Sequence, residues 1–360
     1  MATAAVSPST TPETALDFDA IVIGAGVSGL TCGVIFAERG YRTAIFAKET
    51  GQQTTSGAAA ALWFPYDAEP LAKVIPRALE TYRTLIDLIR NQDSGVSMIE
   101  LRQFSRMDEI LVPHWAIPLG ARAISPSVMS SKATAKTAAS REGLKISLKM
   151  FKSGFSLRVP LMDTTIYLDY LANRFIAAGG SIAADTYFKQ LEDIDSKFDL
   201  LINCAGVGAR ELVGDADVES HRGQVAIVPR ISGLPYAVVC DDAPLMYAIP
   251  RRNDCVFGGT NDLSNDLAAD PAITAQLVSE CARALNIENP NVLAERVGLR
   301  PFRKSGVRVE RTSVADGRVV IHNYGHGGSG FTLSWGCAQA VFELATDRAA
   351  SSGPYVSAMH

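Results

Sequence analysis

The amino-acid sequence predicts an α/β protein in which a doubly wound sheet is interrupted by a second domain of strand-like segments. Strand–glycine–helix patterns occur three times, at 20–30, 198–210 and 318–340, and strand-like segments lie between them, above all at 223–262. The three patterns are far apart in sequence, but a doubly wound sheet would bring all of them to one edge. The length of 360 residues, with 47% hydrophobic and 20% charged residues, suits such a two-part fold with a large core.

Hydrophobic periodicity assigns the individual elements in chain order. The first unit is a strand at 20–23, a helix at about 27–38 that ends near Gly40, and a strand at 43–47. Residues 99–150 have weak periodicity, and we expect strands and loops there. The further helices are predicted at 72–91, 165–180, about 272–285 and about 332–349, and the further strands at 198–206, within 223–262 and at 318–325.

A glycine motif follows the first strand and opens the first helix. Gly24, Gly26 and Gly29 form the pattern G-x-G-x-x-G, and Val27 and Ser28 lie at the start of the helix. Gly24 permits a tight turn, Gly26 lets the backbone approach a pyrophosphate, and Gly29 allows the helix to pack closely on the strand. The free N–H groups of the helix N-terminus favour an anion at this position. The motif therefore predicts a dinucleotide site, the alternative being a glycine turn without a ligand.

The residue that would contact the nucleotide ribose is ambiguous in this sequence. Lys48 ends the second strand and Glu49 follows it. Glu49 could accept a hydrogen bond from the ribose hydroxyls, or Lys48 could contact the nucleotide, where a 2′-phosphate would indicate NADP. The glycine motif alone does not separate FAD from NAD(P).

Composition and charge exclude several classes of partner and location. The net charge is −4 without a long basic run, so we expect neither nucleic acid nor an anionic membrane as a partner. No apolar run reaches the about 18 residues that span a bilayer. The six cysteines are widely spaced, which is typical of reduced thiols. With no secretory signal and no C-terminal S-K-L, we expect a cytoplasmic protein, and the sequence is compatible with a homodimer.

Several later motifs together resemble one family. The stretch "VVIHNYGHGGSGFTLSWGCA" at 319–338, "VGLRPFR" at 297–303, "MYAIPR" at 246–251 and "TTSGAAAALWFPY" at 54–66 resemble, in the same order, segments of the D-amino-acid oxidase family, which includes D-aspartate oxidase. "LINCAGVGAREL" and "RGQV" resemble its second flavin strand and the turn after it. The resemblance runs from about 20 to 340, weakest at about 72–150.

The resemblance implies a Rossmann-like FAD-binding domain with an interspersed α+β substrate domain, of the glutathione-reductase-like, D-amino-acid oxidase type. With this fold, we predict that residues 18–70, 152–225 and 296–350 form the FAD-binding domain, that 71–151 and 226–295 form the substrate domain, and that 1–17 and 351–360 are flexible tails.

Three residues are expected to hold the substrate. Arg300 is similar to the family's arginine that binds the substrate carboxylate, and a guanidinium fork suits a carboxylate. Tyr247 is similar to the tyrosine whose hydroxyl meets the same carboxylate, and Gly328 to the glycine whose carbonyl accepts from the substrate amine. From the sequence alone, an ion pair for Arg300 and a half-buried strand position for Tyr247 are the alternatives.

The cofactor implied by the resemblance is FAD. The residues predicted to bind it are Gly24, Gly26, Val27, Ser28, Gly29, Lys48, Glu49, Thr54, Thr55, Ser56, Leu62, Trp63, Asn203, Ala205, Gly206, Arg300, Gly327, Gly328, Gly330, Phe331 and Thr332. Plain strand-to-helix packing is the alternative for the small residues among them.

The predicted substrate pocket is lined by Leu62, Phe64 and Ser329. Phe64 stands where some family members have a glutamine, and it offers no partner to a buried carboxylate, which favours neutral, apolar substrate side chains. Arg251 and Arg252 favour the opposite preference, because a basic pair near the pocket could hold an acidic substrate side chain. The segment before Tyr247 also lacks the second tyrosine of the animal enzymes.

The resemblance implies oxidative deamination of D-amino acids. Hydride transfer from Cα to flavin N5, with O2 as the final electron acceptor, would give a 2-oxo acid, ammonia and hydrogen peroxide. The alternatives are a D-aspartate oxidase, a glycine/sarcosine-type amine oxidase and, least favoured, a flavin-fold binding protein without turnover. His322 and His326 lie four residues apart at a strand end and a glycine loop, and we predict no metal site there.

Overall fold

The computed structural model describes residues 18–107, 109–124 and 146–347. Within these ranges the chain forms fifteen strands and seven α-helices. The helices are α1 (Val27–Glu38), α2 (Thr55–Ala58), α3 (Leu71–Leu88), α4 (Thr164–Ala177), α5 (Ala209–Leu212), α6 (Pro271–Leu285) and α7 (Gly330–Thr346). The strands are β1 (Ala20–Ile23), β2 (Thr43–Phe46), β3 (Val96–Ser105), β4 (Arg122–Ile124), β5 (Ser153–Met162), β6 (Ser181–Ala183), β7 (Leu200–Asn203), β8 (Val218–Pro229), β9 (Tyr236–Cys240), β10 (Met246–Pro250), β11 (Asp254–Gly258), β12 (Asp262–Leu263), β13 (Ala294–Arg303), β14 (Arg308–Ser313) and β15 (Val319–Tyr324).

A six-stranded sheet has the order β14-β15-β7-β1-β2-β6. All its pairs are parallel except β14 with β15. The carboxyl ends of β1, β7 and β15 therefore meet at one edge, where the three strand–glycine–helix patterns lie side by side. The expectation from the sequence is confirmed, and the chain turns that follow these strands surround one crevice.

Apolar packing fixes the helices against this sheet. The whole of β1 is buried, and α1 is buried over most of its length because it lies between the sheet and α7. Trp335 on α7 donates from Nε1 to the Tyr167 hydroxyl on α4 over 2.8 Å, which satisfies two polar groups inside the core. The first strand, and with it the glycine loop, is thus held on a rigid support.

A nine-stranded sheet forms the other layer, with the order β12-β8-β11-β10-β9-β3-β5-β4 and β13 paired to β8. Its pairs are antiparallel except that of β3 with β9. The register places Gln103, Val239, Tyr247 and Gly258 opposite one another on four neighbouring strands. Side chains in such a row share one face of the sheet.

The sheets divide the chain differently from the predicted domain boundaries. β5, most of β8 and most of β13 fall in segments assigned to the FAD-binding domain, yet they pair in the larger sheet. α3 falls in the predicted substrate domain, yet it packs against α7, where a Cβ on Gly336 would lie 2.2 Å from the Arg77 carbonyl oxygen. The reason is that long-range strand pairing and helix contacts leave no local mark on the sequence. The predicted tails, 1–17 and 351–360, lie outside the described residues.

Candidate active site

One cavity of about 930 Å³ contains most of the predicted site residues. It is lined by the turns after β1 and β7 of the smaller sheet and by β10 and β13 of the larger one. The sequence-predicted dinucleotide loop and the predicted substrate residues therefore share a continuous space. A cavity of this size, lined more by apolar than by polar surface, is typical of a cofactor or ligand site.

The glycine loop forms one wall of the cavity. Gly24, Ala25, Gly26, Val27 and Ser28 all line it. A Cβ at position 24 would lie 2.5 Å from the Cys204 carbonyl oxygen, and the φ of +102° there favours glycine. The N-cap residue of α1, Gly26, has no side chain, no acidic residue lies in the first turn, and the Ser56 hydroxyl occupies only the Val27 N–H. The positive end of α1 is therefore available to an anionic group.

Gly29 has the packing role predicted for it and does not line the cavity. A Cβ at this position would lie 1.8 Å from the Gly24 carbonyl oxygen, that is, inside the backbone of the loop itself. Only glycine lets α1 come this close to the loop. The predicted contact of Gly29 with the cofactor has no support in this geometry.

Lys48 and Glu49 both line the cavity beyond the end of β2. Both side chains are substantially exposed, with the Lys48 Nζ 3.9 Å from the Glu49 Oε1. The geometry places both within reach of a nucleotide and does not favour one over the other.

The stretch after β2 connects the glycine loop to the larger sheet. Ser56 Oγ accepts a hydrogen bond from the Val27 N–H at 3.0 Å, and Thr55 Oγ1 donates to the Leu299 carbonyl at 3.2 Å. Thr54 caps α2, accepting from the Gly57 N–H. The three residues line the cavity and at the same time hold its walls together.

Arg300 on β13 projects into the cavity with part of its guanidinium already held. Its Nη1 donates to the Thr260 carbonyl oxygen at 2.8 Å and to the Asn261 Oδ1 at 3.2 Å. A Cβ on Gly223 would lie 2.4 Å from the Arg300 Nη2, so the glycine leaves room for the side chain. Within the described residues no carboxylate pairs with Arg300, which leaves its charge for a ligand.

Tyr247 on β10 lies beside Arg300 and lines the same cavity. Burial raises the pKa of its hydroxyl, while the Arg300 guanidinium and a hydrogen bond with it act in the opposite direction. A Cβ on Gly258 would lie 2.5 Å from the Tyr247 hydroxyl oxygen. Gly223 and Gly258 were missed in the sequence, because their function is to leave space for a side chain on a neighbouring strand.

Tyr66 and Asp241 complete this part of the site and were also missed. Burial raises the pKa of Tyr66 to about 12, with Asp241 adding to the effect and Arg300 opposing it. Asp241 lines the cavity, and desolvation by the surrounding protein raises the pKa of its carboxyl. Tyr66 ends the family-like stretch 54–66 but was given no function there, and Asp241 belongs to no motif, although it lies two residues after Val239 and alternation would place it on the Tyr247 face.

The glycine-rich loop after β15 presents backbone to the cavity. Gly327, Gly328, Gly330 and Phe331 line it. A Cβ on Gly328 would lie 2.5 Å from the Tyr66 ring, and one on Gly327 would lie 2.0 Å from the Asp67 carbonyl oxygen. These glycines therefore let the 66–67 segment pack against the loop, and the approach of a substrate to the Gly328 carbonyl stays a prediction.

Ser329 and Thr332 do not line the cavity, which corrects two predictions. Ser329 is fully buried, and its Oγ accepts from the Tyr66 N–H at 2.7 Å and donates to the Tyr66 carbonyl. Thr332 bonds in the same way to both backbone groups of Phe64, at 3.1 and 2.9 Å. These hydroxyls fasten the 64–66 segment to the start of α7, so they position wall residues instead of widening the pocket.

Trp63 and Asn203 are corrected in the same way. Trp63 is fully buried and donates from Nε1 to the Ala78 carbonyl at 3.0 Å, on the side of α3. Asn203 accepts from the Ala205 N–H at 3.1 Å, which shapes the turn after β7. Their neighbours Leu62 and Phe64, and Ala205 and Gly206, do line the cavity.

The two histidines of the last motif are both buried, and His326 also lines the cavity. His322 lies between the Asn203 Nδ2, at 3.3 Å, and the Thr312 Oγ1, at 2.9 Å, and His326 Nε2 lies 3.1 Å from the Asn323 Oδ1. Burial lowers the pKa of each to about 4, so both are neutral at pH 7. No group of three metal-binding side chains occurs in the described part of the chain.

The sequence model of the FAD dependent oxidoreductase family matches residues 19–344. The chain belongs to the FAD dependent oxidoreductase family. It is 36% identical to a D-amino-acid oxidase of Streptomyces coelicolor, over 92% of this chain and 97% of the relative. It is also 33% identical to a D-amino-acid oxidase of Rubrobacter xylanophilus, over 91% and 95%.

Solved structures support the fold of this FAD dependent oxidoreductase. A glycine oxidase from Geobacillus kaustophilus aligns with a TM-score of 0.74 at 18% identity, covering 91% of this chain and 94% of that one. An L-proline dehydrogenase from P. horikoshii aligns with a TM-score of 0.69 at 14% identity, covering 92% and 93%. At these identities the likeness concerns the fold.

The residues present fit FAD, the cofactor of the family. The glycine N-cap of α1 and the close glycine packing at 24 and 29 suit a pyrophosphate, and Lys48 and Glu49 line the same cavity beyond β2. The small and apolar residues at 58–62 and 206–208 line the cavity between this loop and the Arg300–Tyr247 pair. No helix in the described ranges combines the length and apolarity needed to cross a membrane.

Proposed function

We propose that the protein catalyses the oxidative deamination of D-amino acids. The observation that carries the proposal is the placement of Arg300 and Tyr247 side by side in the cavity that also contains the dinucleotide loop. An arginine without a carboxylate partner beside a neutral phenol is a receptor for the carboxylate of a small ligand. Both curated relatives named above are D-amino-acid oxidases, which supports the same substrate class.

Arg300 binds and orients the substrate. The bonds to Thr260 and Asn261 fix the guanidinium plane through Nη1, so the remaining donors meet the carboxylate in a fixed geometry. The Tyr247 hydroxyl adds a donor, because its raised pKa keeps it protonated at neutral pH. Two oriented contacts to one carboxylate leave the substrate little rotational freedom, which is the main contribution of proximity to such a reaction.

A third contact reads the configuration at Cα. We propose that the Gly328 carbonyl accepts a hydrogen bond from the substrate amine, since Gly328 lines the cavity and carries no side chain that would block it. Three contacts fix which face of Cα is turned towards the cofactor site. The D configuration then presents its hydrogen to that site, and the L configuration presents its side chain.

FAD, when bound, supplies the two-electron acceptor for this oxidation. The protein side needs no general base: Tyr66 and Tyr247 stay protonated at neutral pH, and the amine reacts in its neutral form after losing a proton to solvent. The overall reaction consumes a D-amino acid, O2 and water, and it yields a 2-oxo acid, ammonia and hydrogen peroxide.

The site favours neutral D-amino acids over D-aspartate as substrates. Arg251, which the sequence suggested as a partner for an acidic side chain, is buried and bound to both Asp254 oxygens, at 2.7 and 2.8 Å, and to Thr164. Neither Arg251 nor Arg252 lines the cavity. The apolar ring of Phe64 does, so a second carboxylate would find no partner there.

A panel of substrates tests the proposed function. Peroxide formation is measured with D-methionine, D-alanine, D-aspartate, glycine and L-methionine, with catalase as the control for the signal. We expect the highest kcat/KM with a neutral D-amino acid and none with L-methionine. Preference for D-aspartate or glycine would support the alternative amine oxidases, and a yellow protein without turnover would support a flavin-binding protein.

Assembly and location are proposed from the sequence alone. We propose a cytoplasmic homodimer that uses a D-amino acid and O2 and has no nucleic-acid or membrane partner. Light scattering on the purified protein tests the assembly, and a mass of one chain would contradict it.

A further inference from the structure

A carboxylate faces the cavity on the same wall as Tyr247. Gln103 on β3, Val239 on β9 and Tyr247 on β10 stand opposite one another across the larger sheet. Asp241 follows Val239 by two residues, so alternation turns it to the same face. Gln103, Val239, Asp241 and Tyr247 all line the cavity.

Gln103 fixes the position of this carboxylate. Its Nε2 donates to the Asp241 Oδ2 over 2.8 Å, and the amide is only 2% exposed. The opposite amide orientation would place two acceptor oxygens against each other, so the Gln103 amide nitrogen is the atom that faces Asp241. The Gln103 Oε1 is buried without a hydrogen-bond partner in the described residues. Because the Gln103 Oε1 is inaccessible, the acceptor that a ligand can reach here is the Asp241 carboxylate.

Two consecutive aspartates have different functions here. Asp242 accepts hydrogen bonds from the Ser105 hydroxyl and from the backbone N–H groups of Arg106 and Met107, and so holds the chain after β3. Asp241 has no such role: within the described ranges it forms no ion pair, and Gln103 is its side-chain partner. Asp241 is exposed in the open cavity, so water solvates its carboxylate, and a cationic group of a ligand can take the place of that water.

Tyr66 lies near both Asp241 and Arg300, the residue proposed to bind the substrate carboxylate. Both Asp241 and Arg300 are near enough to change the pKa of Tyr66, in opposite directions. Arg300 is held by Thr260 and Asn261 and does not pair with Asp241. A ligand with its carboxylate on Arg300 thus has a negative charge within the same pocket, and the Phe64 ring supplies an apolar wall.

We propose that Asp241, positioned by Gln103, binds a cationic substrate side chain, so that the enzyme accepts D-lysine, D-arginine and similar substrates as well as neutral ones. The inference rests on the proposed oxidation of D-amino acids and names the substrate class that this site selects. Asp241 is a specificity-determining residue in this account, and it repels acidic side chains for the same reason.

D-lysine and D-norleucine test the proposal, since they differ by the terminal ammonium. kcat/KM is measured for both substrates with the wild type, with Asp241→Asn, which keeps the shape and removes the charge, and with Asp169→Asn. Asp169 is exposed on α4, remote from the cavity lining, and controls for the loss of one surface charge. The flavin absorbance of each holoprotein is recorded first.

In the wild type we expect kcat/KM for D-lysine to equal or exceed that for D-norleucine. Asp241→Asn should lower the ratio of the two values by about tenfold to a hundredfold, as expected for the loss of a hydrogen bond between charged groups. The ratio should not change in Asp169→Asn. A matching rise in the relative activity with D-glutamate is expected for Asp241→Asn.

An unchanged ratio in Asp241→Asn would overturn the proposal. If that variant does not fold, the wild type decides, because a wild-type kcat/KM for D-lysine about a hundredfold below that for D-norleucine would mean that the ammonium has no partner in the pocket. Turnover of D-norleucine with rejection of D-lysine refutes only this inference. No turnover of any D-amino acid refutes the proposed function as well.

Discussion

Replacement of Arg300 tests the carboxylate-binding site most sharply. Arg300→Lys keeps a positive charge and removes the planar fork, and Arg300→Met removes both while keeping an unbranched side chain. Because Thr260 and Asn261 are bonded to Nη1, either substitution also frees two acceptors at the edge of the pocket. A lysine ammonium can bond to one of these acceptors or to the substrate carboxylate. The guanidinium can bond to the acceptors and to the carboxylate at the same time.

The structure sets the expected magnitude. Nε and Nη2 remain for the substrate, and each charge-assisted hydrogen bond is worth about 1.5–3 kcal/mol. Loss of one such bond in Arg300→Lys should lower kcat/KM by about tenfold to a hundredfold. Loss of both in Arg300→Met should lower it by about a hundredfold to ten-thousandfold, with a large part of the effect in KM.

The assay is steady-state peroxide formation with D-methionine over a wide concentration range. The visible absorbance of the bound flavin, measured for each variant, shows whether the cofactor site is intact. A kcat/KM for Arg300→Met within about threefold of the wild type, in a protein with full flavin content, would refute carboxylate binding by Arg300.

Three further predictions concern the cofactor loop, the fastening of the pocket wall and the response to pH. In Gly29→Ala the new Cβ would lie 1.8 Å from the Gly24 carbonyl oxygen, so we expect loss of flavin from the purified protein; wild-type flavin content would contradict this. Ser329→Ala removes two bonds to the Tyr66 backbone and should destabilise the protein by about 1–3 kcal/mol in urea unfolding, and an unchanged midpoint would show that the bonds are replaced. Burial lowers the pKa of His326 to about 4, so the unfolded chain binds its proton first as the pH falls from about 6.5. His326 therefore stabilises the fold fully above pH 6.5 and loses up to about 3 kcal/mol by pH 4; His326→Gln should flatten this pH dependence of the free energy of unfolding, and an equal slope in both proteins would exclude the mechanism.

The sequence predicts the smaller sheet well because its signals are local. A buried strand, a glycine turn and a helix follow one another directly at 20–30, so hydrophobic periodicity and turn chemistry agree. The same agreement holds at 198–210 and 318–340. Parallel pairing of β1, β7 and β15 then follows from the rules of doubly wound sheets.

The larger sheet could not be predicted in the same detail. β3 and β5 are joined through 125–145, which lies outside the described residues, and neither strand carries a turn motif that would indicate its partner. Gln103 and Asp241 come together through the pairing of β3 with β9, and Tyr66 joins them through the fastening of the 64–66 segment to α7. No spacing in the sequence relates them.

The location of a side chain was predicted best where its residue type suits one particular function in the site. Arg300 and Tyr247 lie in the cavity as the family resemblance implied. Ser329, Thr332 and Trp63 lie in the other family-like motifs, yet they bind backbone groups on the far side of the wall. A motif marks the segment that forms a site, and the direction of each side chain depends on the packing behind it.

Anaerobic reduction of the bound flavin tests the central claim most directly. Purified holoprotein is mixed with D-methionine or L-methionine in the absence of oxygen, and the visible absorbance of the flavin is followed. Because Arg300, Tyr247 and Gly328 fix which face of Cα is presented, the D enantiomer should bleach the flavin completely, and the L enantiomer should leave it oxidised. Equal bleaching by both enantiomers, or by neither, would contradict the account.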